Sequence, residues 1–192
     1  MCIRDRIHSV CSSNIRAIEN TQSILVADDI KRAVDAICKA SRVDFYGVGT
    51  SGLIAHDAHN KFIRIQKLSM SSSDPHDQIL AAASLKKDDV AVLISYSGDT
   101  RDILETADVV LKRGATLISI TRFCKNPLSQ KASISLYSSS SETMIRSGVM
   151  GQRIAQLTLI DILYTSVVSQ SYADVRASLD ETRLISERKH LT

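Results

Sequence analysis

Val90-Ala91-Val92-Leu93-Ile94 is an unbroken apolar run, rich in β-branched residues and without polar alternation. A strand of that composition must be covered on both faces, and such cover is supplied by helices in a parallel sheet. Further short apolar runs occupy 43–48 (VDFYGV), 67–70 (KLSM), 116–120 (TLISI) and 133–138 (SISLYS). Between and after them, helical spacing predicts segments near 52–65, 75–84, 101–113 and 148–170, and two earlier helices over 7–22 and 28–40. Asp28 or Asp29 opens the second of these, and Ile30, Val34 and Ile37 form its apolar stripe. Gly114 reads as a helix stop, while Pro75 and Pro127 both fall in connections. The alternation predicts an α/β chain, a three-layer αβα sandwich around a five-stranded parallel sheet. Its expected parts are N-terminal helices over 1–41, one domain over 42–170 and a charged helical tail over 171–192.

Charge and cysteine usage exclude several classes. The 192 residues include 24 basic and 21 acidic side chains, a net charge of +3 that gives no dense basic face for nucleic acid. Cys2, Cys11, Cys38 and Cys124 are far apart and form no C-x-x-C pair, which suits reduced thiols in the cytoplasm. The N-terminal residues MCIRDRIHSV do not resemble a signal peptide. The longest apolar tract, 154–168, is 15 residues long and contains Gln156 and Asp161, so no membrane span is expected.

Ligands of an open parallel sheet bind beyond the carboxyl ends of its strands. Three connections at that rim are rich in hydroxyls: Gly49-Thr50-Ser51, then Ser95-Tyr96-Ser97-Gly98-Asp99-Thr100, then Ser138 to Ser141 with Glu142 and Thr143. Small hydroxyls and free N–H groups at helix N-termini make an anion cup, expected here without a dedicated Lys or Arg. The alternative is that Ser97 and Thr100 are turn and N-cap residues. Residues 47–52, GVGTSG, satisfy the dinucleotide pattern G-x-G-x-x-G. That ligand also needs an acidic residue at the end of the second strand, and the first one available, Asp74, lies past it. No G-x-x-x-x-G-K-[ST] is present either, so neither a dinucleotide nor any other cofactor is expected.

Gly47-x-Gly49-x-Ser51, followed by Ser95-x-Ser97-Gly98-x-Thr100, resembles the sugar isomerase (SIS) phosphosugar-binding domain. The segments AHDAHNKFIRI, DVAVLISYSGDTRDILETA, GATLISIT and MGQRIAQLTLIDILY are most similar to the C-terminal sensor domain of RpiR-type bacterial transcriptional regulators, over about Ile24 to Tyr164. The resemblance implies a flavodoxin-like fold, a homodimer or dimer of dimers, and a sugar phosphate as effector. It implies that Ser51, Ser95, Ser97 and Thr100 hold the phosphate, with the backbone of Gly49, Thr50, Gly98 and Asp99 completing the cup and Glu142 facing the sugar. Regulators of this kind carry an N-terminal helix-turn-helix domain, which this chain does not include. DNA binding is therefore expected only through such a domain, and a truncated reading frame is one explanation of the start at MCIRDR.

An aldose–ketose isomerase is the competing reading. It needs a carboxylate or imidazole beside C1 and C2 of the sugar, and Glu142 would be its base; for a sensor no catalytic residue is expected. His56 and His59 stand three apart on a helix but have no third partner, so no metal is expected. Arg146 either pairs with Glu142 or meets an anionic ligand group. Ser97 is not an acyl-transfer nucleophile, since ISYSGD lacks the first glycine of G-x-S-x-G. The helix Arg153–Val168 is apolar around most of its circumference, as either a dimer-interface helix or one enclosed in its own domain would be.

Overall fold

A computed structural model describes residues 2–139, 148–172, 175–177 and 179–181. In chain order the elements are α1 (Ile3–Ile24), α2 (Ala27–Lys39), β1 (Val43–Gly47), α3 (Thr50–Ile63), α4 (Pro75–Ala83), β2 (Val90–Ile94), α5 (Arg101–Arg113), β3 (Thr116–Arg122), α6 (Pro127–Lys131), β4 (Ile134–Ser138) and α7 (Gly148–Gln170). The strands pair in parallel in the order β1-β2-β3-β4. β2 is buried at every position, and its side chains leave on alternate faces. Val90, Val92 and Ile94 join a core with Ile37 of α2, Phe62 of α3 and Leu159 of α7. Ala91 and Leu93 join a second core with Ala82 of α4, Ile103 of α5 and Leu128 of α6. The result is a three-layer αβα sandwich.

The sheet has four described strands rather than the five expected. Residues 67–70 meet β1 through a single parallel bridge, Leu68 opposite Arg42, and through Val43 N–H to Leu68 O and Phe45 N–H to Met70 O, both 2.9 Å. The Met70 N–H then turns to Asp44 Oδ1 at 3.0 Å, so the ladder stops after one bridge. This segment nevertheless lies along β1 on the side away from β2, as in a flavodoxin-like order. One helix was not anticipated: α6 is a five-residue helix between Asn126 and Ala132.

The apolar circumference of α7 is covered inside its own chain by α1, α2, α3 and β4. Its burial therefore does not require a partner. Apart from Met150, the large apolar side chains left exposed lie elsewhere, including Ile3, Ile7, Val10 and Ile18 of α1. In the tail, Val175 and Leu179 pack against the same core as α7.

Asp44 is fully buried in β1 and saturated with donors. Arg42 reaches it through Nε and Nη2, both at 2.8 Å, and Tyr46 Oη donates at 2.6 Å. The Arg42–Asp44 hydrogen bond holds the guanidinium above its usual value, while burial and the neighbouring carboxylate push the Tyr46 phenol up. A lone carboxylate would be strongly destabilising here, so the four donors are what make it tolerable. Asp44→Ala leaves Arg42, the Tyr46 hydroxyl and the Met70 N–H without their shared acceptor and should destabilise the fold by about 3 kcal/mol. Urea unfolding of the variant measures this, and a loss below about 1 kcal/mol would show that the network contributes little.

Candidate functional site

The sequence GVGTSG makes a tight strand-to-helix turn. A Cβ on Gly47 would lie 2.5 Å from the Ser51 carbonyl oxygen, and one on Gly52 would lie 3.0 Å from the Gly47 carbonyl oxygen. Those two glycines let α3 start against the end of β1. Gly49, at φ +60°, occupies the N-cap position of α3, where no side chain caps the helix. The second loop is fixed from below by α6. Gly98 has φ +71°, its carbonyl accepts from Leu128 N–H at 2.9 Å, and its N–H donates to Ser95 Oγ at 3.2 Å. Thr100 takes the N-cap position of α5, yet its hydroxyl does not cap the helix; it lies 3.1 Å from Ser95 Oγ.

Between these two turns is a cavity of about 310 Å³ lined by Thr50, Ser51, Ser95, Ser97 and Thr100 among others. Five of the expected residues are therefore brought together. Gly49 instead lines a neighbouring recess of about 470 Å³ with His56 and Ser71 to Ser73. Gly98 is buried beneath the loop and Asp99 is exposed, and neither lines the cavity. The third hydroxyl loop does not join it through its described residues. Ser138 Oγ is directed at the Thr121 carbonyl, and both backbone groups of Ser139 bond the Thr21 hydroxyl of α1 at 3.1 Å. Glu142, Thr143 and Arg146 lie outside the described residues.

Sequence reasoning missed the far wall of the cavity, which α7 supplies as Gln152, Arg153 and Gln156. Arg153, an exposed residue of α7, is among the lining residues, a basic side chain that the sequence did not place there. The only available signal was that these polar residues interrupt an otherwise apolar helix. His59, beside His56, sits with Nδ1 3.2 Å from Ser69 Oγ, and burial lowers its pKa with a further contribution from His56. Among the described residues no group of three His, Cys, Asp or Glu side chains could hold a metal ion, and no helix is long and apolar enough to cross a membrane.

Two helix N-termini without side-chain caps, five Ser and Thr residues and one arginine around a small concavity can bind an anion of phosphate size. They offer no described carboxylate or imidazole as a base. The SIS domain family matches residues 36–166. An uncharacterised HTH-type transcriptional regulator of Caldanaerobacter subterraneus subsp. tengcongensis is 43% identical over 184 residues, covering 95% of this chain and 65% of that protein. The HTH-type transcriptional regulator RpiR of Escherichia coli is 30% identical over 182 residues, covering 95% of this chain and 62% of that one. The chain thus spans less than two thirds of the length of these curated relatives. Among solved structures, the Vibrio vulnificus NanR protein complexed with ManNAc-6P superposes with a TM-score of 0.89 at 22% identity, over 97% of this chain and 70% of that one. A phosphoheptose isomerase from Francisella tularensis superposes with a TM-score of 0.74 at 20% identity, over 88% of this chain and all of that one (100%). At such identities these two likenesses show the shared fold.

The loop geometry itself can be tested at Gly98. A Cβ there would meet Asn126 Oδ1 at 2.1 Å, and the Asn126 side chain is held by Thr121 Oγ1, the Cys124 carbonyl and Ser129 N–H. Gly98→Ala should therefore combine left-handed backbone strain with displacement of Asn126, at a cost of roughly 3 kcal/mol. Gly114, at φ +76° with nothing within 4 Å of an added methyl group, supplies the control: alanine there should cost only about 1 kcal/mol. Equal losses in thermal unfolding would show that the Asn126 contact does not hold the loop.

Proposed function

Because this chain belongs to the SIS domain family, we propose that it is the effector-sensing domain of an RpiR-type transcriptional regulator and that its effector is a sugar phosphate. The observation that carries this reading is the convergence of Thr50, Ser51, Ser95, Ser97 and Thr100 on one cavity that the uncapped N-termini of α3 and α5 also face. A helix N-terminus interacts favourably with a dianion, and small hydroxyls can surround its oxygens without filling the space. Gly49, Gly98 and Asp99 belong to the proposed site as backbone that shapes the two turns, and Glu142 as the residue facing the sugar. The curated relatives are HTH-type regulators, which supports a DNA-binding partner domain N-terminal to α1 in the complete protein. The bound ManNAc-6P of the structurally similar NanR supports the ligand class. A homo-oligomer working in the cytoplasm completes the proposal, and the exposed apolar residues of α1 are the surface that supports self-association.

The isomerase reading draws its support from the fold shared with phosphoheptose isomerase. It is the weaker of the two because the curated relatives are regulators and the cavity's described lining contains no carboxylate or histidine.

The test is calorimetric titration with a panel of hexose and amino-sugar phosphates. Ser51→Ala combined with Ser97→Ala removes two hydroxyl donors and should weaken binding of any hit by at least about a hundredfold, at about 1.5 kcal/mol per bond to a charged acceptor. The circular dichroism spectrum should not change. Undiminished affinity would move the phosphate elsewhere. Recovery of the ligand unconverted after incubation is the expected result for a sensor, and its conversion would establish the isomerase.

A further inference from the structure

Two buried side-chain polar atoms among the described residues have no hydrogen-bond partner: Gln78 Oε1 and Gln156 Nε2. They differ in what surrounds them. The Gln78 carboxamide is fixed by its own nitrogen, which donates at 2.8 Å to the carbonyls of both Gly47 and Ser72, and its residue does not line the cavity. Its bare oxygen is a by-product of tying the end of β1 to the 71–73 segment. Gln156 lines the cavity, is 2% exposed, and has an unmatched donor.

A buried N–H without an acceptor costs free energy comparable to a lost hydrogen bond, and the surroundings would accept a simpler side chain. Gln156 lies one turn from Leu159 and Ile160 on α7, both fully buried in the core, so an apolar residue would fit the helix at this position. A persistent orphan donor in such a place signals a partner that comes and goes. The hydroxyls lining the cavity could accept as well as donate, yet none accepts from Nε2, and Ser95 Oγ already accepts from Gly98 N–H, so the group missing from the site is an acceptor.

We propose that Gln156 is a ligand-binding residue whose Nε2–H donates to an oxygen of the bound sugar phosphate, closing the site from α7 opposite the Thr50-Ser51 and Ser95–Thr100 turns. The inference rests on the reading of the cavity as a sugar-phosphate site and adds the donor that the loops do not supply. It also means that the ligand bridges two layers of contacts. The loops belong to β1 and β2, whereas α7 packs against α1, the first helix of the chain.

The experiment uses the full chain and compares wild type with Gln156→Leu and Gln156→Glu, titrated with inorganic phosphate and with a hexose 6-phosphate that binds wild type. Leucine should weaken binding by at least about tenfold and at the same time raise the melting temperature of the free protein, because it removes the unmatched buried donor. Glutamate places a carboxylate toward an anion and should weaken binding by about a hundredfold or more. A loss for both ligands assigns the bond to the phosphoryl group, and a loss for the hexose 6-phosphate alone assigns it to a sugar oxygen; either supports the inference. Wild-type affinity in folded Gln156→Leu overturns it while leaving the sugar-phosphate site intact. Failure of folded wild type to bind any sugar phosphate or phosphate overturns the site and this inference together. A Leu variant that loses affinity and melting temperature in parallel also overturns it, since that pattern marks a structural role.

Discussion

Parallel strands joined by crossover helices deliver every helix N-terminus to one rim of the sheet, each with backbone N–H groups that the helix itself cannot satisfy. Most of the chemistry of this protein follows from how those groups are treated. α4 is closed by Asp74, which accepts from His76 and Asp77 N–H, and α6 by Asn126, which accepts from Ser129 N–H. α3 and α5 have no side-chain cap, although Thr100 holds the right position with the right chemistry at the start of α5. A cap typically stabilises a helix by about 1 kcal/mol. Among the helices that follow β1, the fold forgoes it at the two whose N-termini border the cavity and keeps it at α4 and α6; α2, before the sheet, starts from Val26 and has none either.

Leaving those ends open is useful only if the turns that lead into them are rigid. Each is fixed by a close backbone approach rather than by a long side chain. Gly47 and Gly52 bring strand and helix within carbonyl contact, and Gly98 rests on an Asn126 side chain whose amide is bonded in three directions. Asn126 thus has two tasks, capping α6 and supporting the loop that opens α5. The short helix α6, which contributes only Leu128 to the core, makes sense as that support.

What the sequence made legible tracks the range of the interactions involved. The unalternated run at 90–94 declared a doubly covered strand, and the hydroxyl turns declared a rim chemistry, because both are local patterns. The 67–70 segment reads as a strand by composition, yet its pairing is cut short by Asp44, a side chain 26 residues away in sequence. α6 is too short to show periodicity and is specified by Asn126 and a proline instead. The lining residues Gln152, Arg153 and Gln156 were illegible because a helix whose covering neighbours are unknown gives no clue to which polar positions meet a cavity. The assignment of α7 as enclosed within its own chain required the same missing knowledge. Glu142, which the resemblance implies as the residue facing the sugar, falls outside the described residues.

The composition of the cavity bears on how such a site would serve the reversible sensing proposed for it. A cup of several fixed cations would repel itself when empty and would hold a dianion tightly. Here the small hydroxyls of the lining are neutral donors that can satisfy one another, as Ser95 and Thr100 do at 3.1 Å, and the one guanidinium sits exposed on the α7 side. A ligand that takes either of those two hydroxyls must exchange that internal bond for its own, which limits the affinity gained there to the difference. Only a donor with no internal alternative contributes its full bond on binding. By placing that donor on α7, a helix that packs against β4 and α1, the fold would concentrate the ligand-dependent part of the energy on a helix in direct contact with the first helix of the chain.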